Sequence, residues 1–251
     1  MTDCFDRLSL EAPFVLEEAD VRSLHFTMGE IQSSMRLDAP DELQVDYTRT
    51  MMGFLLLQPK PRKLAMIGLG GGSLVKFCHR HLPSTRLTVV DNNPGVIALR
   101  QRFGVPDDDA RLAVVADDGA AFVATAAGID VLLVDGFDAT GQPAQLCSQG
   151  FYDQCFRALT PGGLLTANLH ADHPEHDLFL ARIARSFKGN AMQVLAKEKS
   201  NCVVFAGRRR PVTLSALRSG DWAAALEPAV RPQLRAEFAH IGWSARALMP
   251  A

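Results

Sequence analysis

Hydrophobic residues along this chain fall into short unbroken runs, separated by glycine-, proline- and aspartate-rich breaks and by segments where apolar positions recur at helical spacing. The runs at 64–67 (L-A-M-I), 87–91 (L-T-V-V-D), 112–116 (L-A-V-V-A), 129–135 (I-D-V-L-L-V-D) and 164–169 (L-L-T-A-N-L) read as buried strands. Between them, residues 74–78, 94–103, 120–126, 148–159 and 178–187 carry helical patterns; Pro94 opens one of these helices. This alternation predicts an α/β fold: a Rossmann-like doubly wound sheet of about seven strands, mostly parallel. The runs at 192–197 and 202–206 add an antiparallel hairpin at its edge, and residues from Thr213 onward read as helices broken at Pro228 and Pro232.

The N-terminal part follows another rhythm. Residues 21–26 and 31–37 alternate around the turn T-M-G-E, which predicts a β-hairpin, whereas residues 1–20 show little pattern. Residues 41–57 then have helical spacing, with Asp41 as a plausible cap and Pro59 beyond the end. The chain is thus expected to divide into a small hairpin and lead-in helix over 1–58 and the doubly wound α/β domain, with its C-terminal helices, over 59–251.

Composition removes several function classes. With 26 basic and 28 acidic residues, a net charge of −2 gives no general attraction to nucleic acid or anionic membrane. No apolar stretch reaches the ~20 residues of a membrane span, and the first residues lack the pattern of a secretion signal, so the expected compartment is the cytoplasm. Five scattered cysteines without a C-x-x-C read as reduced, buried residues. His170, His173 and His176 are interrupted by Pro174 and read as a solvated loop rather than a metal site, and Arg208-Arg209-Arg210 reads likewise.

The candidate chemistry lies at the ends of the runs. After 64–67 comes G-L-G-G-G-S, where Gly68, Gly70 and Gly72 permit unusual backbone angles and close approach of a ligand to free N–H groups at a helix start. Such a loop serves several nucleotide ligands. Asp91, about 20 residues on, suits two ribose hydroxyls, with a helix cap as its alternative role. Asp118, Asp135 and Asp138 also follow strands, where a parallel sheet binds ligands. Asp118 suits an exocyclic amine, and Asp135 with Asp138 could bind a cationic amine and take its proton.

Residues 66–163 resemble the polyamine aminopropyltransferase family, spermidine synthase and its relatives, which share the class I S-adenosylmethionine-dependent methyltransferase fold. The resemblance rests on I-G-L-G-G-G-S, V-V-D-N-N-P-G-V-I, D-D-G-A-A-F-V, L-L-V-D-G-F-D and Q-L-C-S-Q-G-F-Y-D-Q-C-F-R-A-L-T-P-G-G, in order and spacing. It implies Asp135 as catalytic base, Asp138 and Tyr47 at the amine, and Gln32, the glycine loop, Asp91 and Asp118-Gly119 at the nucleoside. It also implies decarboxylated S-adenosylmethionine as co-substrate donating an aminopropyl group to putrescine or a similar amine, no tightly bound cofactor, and a homodimer. The chain departs from the family where Gly71 replaces an aspartate expected to grip the aminopropyl ammonium, and where Thr48-Arg49 follow Tyr47, placing a cation nearby. Arg22 stands where a glutamine is expected, Ala139 where a proline is, and Tyr152 is the only tyrosine after Tyr47. A methyltransferase on the same fold, or a non-catalytic nucleoside-binding homologue, are the alternatives these departures leave open.

Overall fold

A computed structural model describes residues 12–28, 31–138, 141–198, 200–219 and 221–248. Cys4, Ala139 and the second half of the T-M-G-E turn lie outside them.

Three antiparallel strands, β1 (Phe14–Glu18), β2 (Val21–His25) and β3 (Ser33–Arg36), form a small sheet in the order β1-β2-β3. The hairpin is β2-β3; β1 is the strand that residues 1–20 did not reveal. Next come α1 (Asp46–Met51), with 3-10 turns over Met52–Leu56, β4 (Lys63–Ile67), α2 (Ser73–His81), β5 (Arg86–Asp91) and α3 (Pro94–Ala98). They are followed by β6 (Leu112–Ala116), α4 (Gly119–Thr125), β7 (Ile129–Val134), α5 (Gln149–Ala158), β8 (Leu159–His170) and α6 (His176–Ser186). The chain ends with β9 (Ala191–Leu195), β10 (Asn201–Gly207), α7 (Leu214–Ser219), α8 (Arg231–Ser244) and β11 (Arg246–Ala247).

The eight strands from β4 onward form one sheet in the order β11-β9-β10-β8-β7-β4-β5-β6. Strands β4 to β8 pair in parallel, while β10, β9 and β11 are each antiparallel to their neighbours. The expected class therefore holds, with the two-residue β11 as an eighth strand. The chain winds outward from β4 through β5 to β6, then returns to the other side of β4 with β7. That reversal opens a crevice over the carboxyl ends of β4 and β7.

Continuous apolar runs follow from burial on both faces. Leu64, Met66, Val131, Leu133, Val203 and Phe205 join a core with Phe54, Phe77 and Phe238 on one side. Ala65, Ile67, Leu132, Val134, Val204 and Ala206 face a second core with Phe151, Tyr152 and Ile183 on the other. Strand alternation sends successive side chains to opposite faces, and each fully buried large side chain contributes about 1.5–3 kcal/mol. Tyr152 is thus core.

Three local expectations change. The helix expected over 41–57 begins at Asp46 and tightens into 3-10 turns, and Asp41 is not its cap: it pairs with Arg80, five residues before a start whose N-cap, Val45, offers no side-chain oxygen. Pro232 lies in the first turn of α8, where its missing N–H costs nothing, so it starts that helix rather than breaking it. Two of the three arginines at 208–210 are spent on structure: Arg208 donates to the carbonyls of Arg157 and Leu159 and lies over the Phe156 ring, while Arg210 donates to Gly162 and Leu57 carbonyls and to Gln58. They satisfy carbonyls at the irregular entry of β8, where its register with β7 shifts.

Two buried polar contacts fix the N-terminal part on the large sheet. Lys76 of α2 donates to the Phe103 carbonyl at 2.7 Å and meets Met35 Sδ of β3 at 2.9 Å; burial pushes its ammonium down to about 8. Glu237 of α8 accepts from Thr50 Oγ1 of α1 at 2.8 Å and pairs with Lys197 Nζ at 2.7 Å. These contacts set the positions of β3 and α1, which wall the crevice.

Candidate active site

The crevice encloses a cavity of about 620 Å³. Its floor is the glycine loop after β4. Gly68 takes φ +95°, and a Cβ there would strike the Asp135 backbone carbonyl, so only glycine lets the ends of β4 and β7 approach this closely. No atom lies within 4 Å of where a Gly70 Cβ would be, which leaves its backbone bare toward a ligand. Gly72 does not line the cavity: its missing side chain makes room for Val105 at the start of α2, a packing role.

Gly71 does line it. A Cβ at Gly71 would lie 2.5 Å from Ser33 Oγ and 3.0 Å from Phe103 Cδ1, so β3 and Phe103 occupy the space that a side chain at this position would need. The wall there is neutral.

Asp91 closes β5. Its Oδ2 accepts from Leu69 N and its Oδ1 from Asn93 N, both at 2.8 Å. Burial raises its pKa, against backbone N–H groups of Leu69, Asn93 and Gly70 that lower it. The cap of α3 is Asn93, whose Oδ1 accepts from Gly95 N and Val96 N, so Asp91 is free of capping duty and reaches the cavity beside the glycine loop. Asp118 does cap a helix, accepting from Ala121 N at 2.8 Å, and also lines the cavity with Gly119. Gly119 packs against Ile67, where a Cβ would come within 2.5 Å of Cγ2.

Asp135 follows β7, its backbone N–H donating to Ile67 O at 2.9 Å. Its carboxylate is held by two side chains: Tyr47 Oη donates to Oδ2 at 3.1 Å and Asn168 Nδ2 to Oδ1 at 2.9 Å. Burial raises its pKa, and these two donors oppose the rise. Burial and the neighbouring Asp135 charge push the Tyr47 hydroxyl well above the phenol range, so it stays protonated and donates. Asp138 lines the same cavity, and its backbone exchanges hydrogen bonds with that of Gly141. Gln32 lines the cavity from the residue just before β3.

Every site residue read from the sequence except Gly72 is brought to this one cavity. Arg49, expected to place a cation nearby, does not line it; its guanidinium folds back onto Leu43 O, Gln44 O and Asp46. Arg22 pairs with Glu17 and donates to Arg102 O. Ser33 and Gln142 line the cavity and Asn168 bonds Asp135, three residues not expected there from the sequence. Asn168 is a polar residue inside an otherwise apolar strand, and that was its available signal. His170 ends β8 stacked on Phe137, with ring centroids 4.5 Å apart.

A family model, the spermine/spermidine synthase domain, matches residues 44–198. A polyamine aminopropyltransferase of Chromobacterium violaceum is 38% identical over 199 residues, covering 78% of this chain and 76% of that protein. One from Neisseria meningitidis serogroup A is 36% identical over 200 residues, with the same coverage. Among solved structures, a spermidine synthase in complex with the transition-state analogue AdoDATO aligns with TM-score 0.65 at 20% identity, covering 89% of this chain and 85% of that one; at that identity the likeness shows the fold. The chain belongs to the spermine/spermidine synthase family and is an enzyme, an aminopropyltransferase.

Proposed function

We propose that this enzyme moves the aminopropyl group of decarboxylated S-adenosylmethionine to an amine such as putrescine, releasing methylthioadenosine. The observation that carries the reading is the charge of the cavity: Asp91, Asp118, Asp135 and Asp138 line it, and among the described lining residues there is no lysine, arginine or histidine. Such a site favours ligands that are cationic and carry no carboxylate of their own, as a sulfonium donor without its carboxylate and a polyamine are.

Asp91 accepts from the ribose hydroxyls, Asp118 and the Gly119 backbone meet the adenine, and Gln32, Gly68 and Gly70 complete the nucleoside end. Asp138 and Tyr47 hold the amine. Asp135 takes one proton from the acceptor ammonium, and burial suits it to this by raising its proton affinity. The freed nitrogen lone pair forms a bond to the methylene beside sulfur, and the carbon–sulfur bond breaks with its electrons going to sulfur. A sulfonium becomes a neutral thioether, so the reaction discharges the donor and favours a dry site; Leu24, Phe26, Val96 and Leu146 supply apolar walls. Because the Gly71 wall is neutral, the donor's ammonium is offset by Asp135 and Asp138 across the cavity rather than by a residue of the glycine loop. Assembly as a homodimer and a cytoplasmic location belong to the same reading; no helix of the described residues is long and apolar enough to cross a membrane.

Calorimetry with the decarboxylated donor, intact S-adenosylmethionine and methylthioadenosine tests it, on the wild type and on Asp135→Asn. The decarboxylated donor binds most tightly, and Asp135→Asn keeps nucleoside affinity while losing about 10²-fold or more in turnover. Tighter binding of the intact donor overturns the donor assignment; unchanged turnover removes Asp135 as the base.

A further inference from the structure

Asn168 reaches Asp135 from β8, the strand next to β7. A side-chain amide has one donating and one accepting edge, and only the NH2 edge attracts a carboxylate. Which edge faces Asp135 is decided behind Asn168. Asn201, on the neighbouring β10, donates from Nδ2 to Asn168 Oδ1 at 3.0 Å, and its own Oδ1 accepts from Ser200 Oγ at 3.0 Å. The donors therefore run in one direction, Ser200 to Asn201 to Asn168 to Asp135, and each bond polarises the next. The Asn168 carbonyl is tied separately to Gln142 Nε2 at 3.2 Å. Neither Asn168 nor Asn201 lines the cavity.

We propose that Asn201 is a positioning residue for aminopropyl transfer: by occupying Asn168 Oδ1 it locks the Asn168 amide with its NH2 on Asp135, which keeps that carboxylate ionised and aimed at the acceptor amine. This rests on Asp135 being the proton acceptor. The other titratable groups around Asp135 are Tyr47 of α1 and Asp138 of its own loop; His170, at the end of β8, stacks on Phe137 and is the cross-strand partner of Asn201. None of these touches the Asn201 side chain by a hydrogen bond. A protonated base cannot accept a proton, so turnover falls as pH falls through the Asp135 pKa. Loss of the Asn168 donor removes an influence that lowers this pKa, and the acid limb then moves to higher pH.

The test is the pH dependence of kcat and KM for the full chain carrying Asn201→Asp, Asn201→Ala or Asp135→Asn. In Asn201→Asp the new carboxylate demands a donor and turns the Asn168 amide around, leaving its oxygen against Asp135. The acid limb of kcat then moves up by about one pH unit, kcat below that limb falls about tenfold, and donor KM is unchanged. Asn201→Ala removes the lock without forcing the turn and gives a smaller shift in the same direction. It adds no charge, so it carries the test if the aspartate variant does not fold. Folded variants whose acid limb coincides with that of the wild type overturn the role of Asn201 while Asp135→Asn remains inactive. Turnover surviving in Asp135→Asn instead overturns the base assignment, and this proposal with it.

Discussion

The two ends of the cavity hold their carboxylates by different means. At the end proposed for the nucleoside, Asp91 and Asp118 are gripped by backbone N–H groups: Leu69 of the glycine loop and Asn93 for one, Ala121 of α4 for the other. At the end proposed for the acceptor, Asp135 depends on side chains from α1 and β8, which are 88 and 33 residues away in sequence. A backbone donor survives substitution of its own side chain, whereas a side-chain donor is lost with it. The nucleoside end should therefore tolerate change around its acids, and the acceptor end should feel changes at a distance. On the proposed reading, recognition of the donor is built into the strand ends, and the chemistry is tuned from outside them.

The largest effect that would test this division is at Asp91. Its two oxygens each take one backbone N–H, and an amide offers only one acceptor, so Asp91→Asn leaves one buried donor unpaired and sets an NH2 against it. We expect donor affinity by calorimetry to fall about a hundredfold, ~2.8 kcal/mol, with a lower melting temperature of the free protein. If Asp91→Asn binds donor like the wild type, the nucleoside end is held by the glycine loop alone.

A smaller effect belongs to Tyr47, the other donor on Asp135. Tyr47→Phe keeps the ring and removes one hydrogen bond that lowers the Asp135 pKa, so the acid limb of the kcat profile moves to higher pH. The expected loss is about tenfold in kcat/KM for the amine at pH 7, ~1.4 kcal/mol, with methylthioadenosine affinity retained. An unshifted limb would mean that the acceptor end does not depend on α1. Equal losses for amine and nucleoside would mean that the two ends are not separate.

This division also marks what could be read from the sequence. The strands and the acids that end them were legible because both the apolar runs and the glycine break are local patterns, and a doubly wound sheet brings such strand ends together whatever the loops do. Asp135 and Asp91 were expected at the crevice in this way, and both line it. Asn168 and Asn201 were not, because their meaning lies in a cross-strand diagonal of β8 and β10 and not in spacing. Gly72 looked like its neighbours, yet its direction is set by Val105, some thirty residues on. Arg49 looked like a charge in the site because it lies two residues after Tyr47; in a helix that spacing turns a side chain by about 200°, to the opposite face, and the carbonyls before α1 take its guanidinium.

The smallest effect gives the sharpest comparison, because it separates a side chain from its own backbone. Asn93 does two things: its side chain caps α3 through Gly95 N and Val96 N, and its backbone N–H holds Asp91 Oδ1. Asn93→Ala removes the first and leaves the second. Loss of an N-cap costs about 1 kcal/mol, which in a chain of this length lowers the melting temperature by roughly 2–4 °C. Donor affinity should stay within about twofold, since the N–H that fixes Asp91 does not depend on the residue type carrying it. A thermal shift without a change in calorimetric affinity supports a nucleoside end held by backbone. An affinity loss approaching that of Asp91→Asn would show that the grip on Asp91 depends on how α3 is capped, and the contrast between the two ends would then be one of degree.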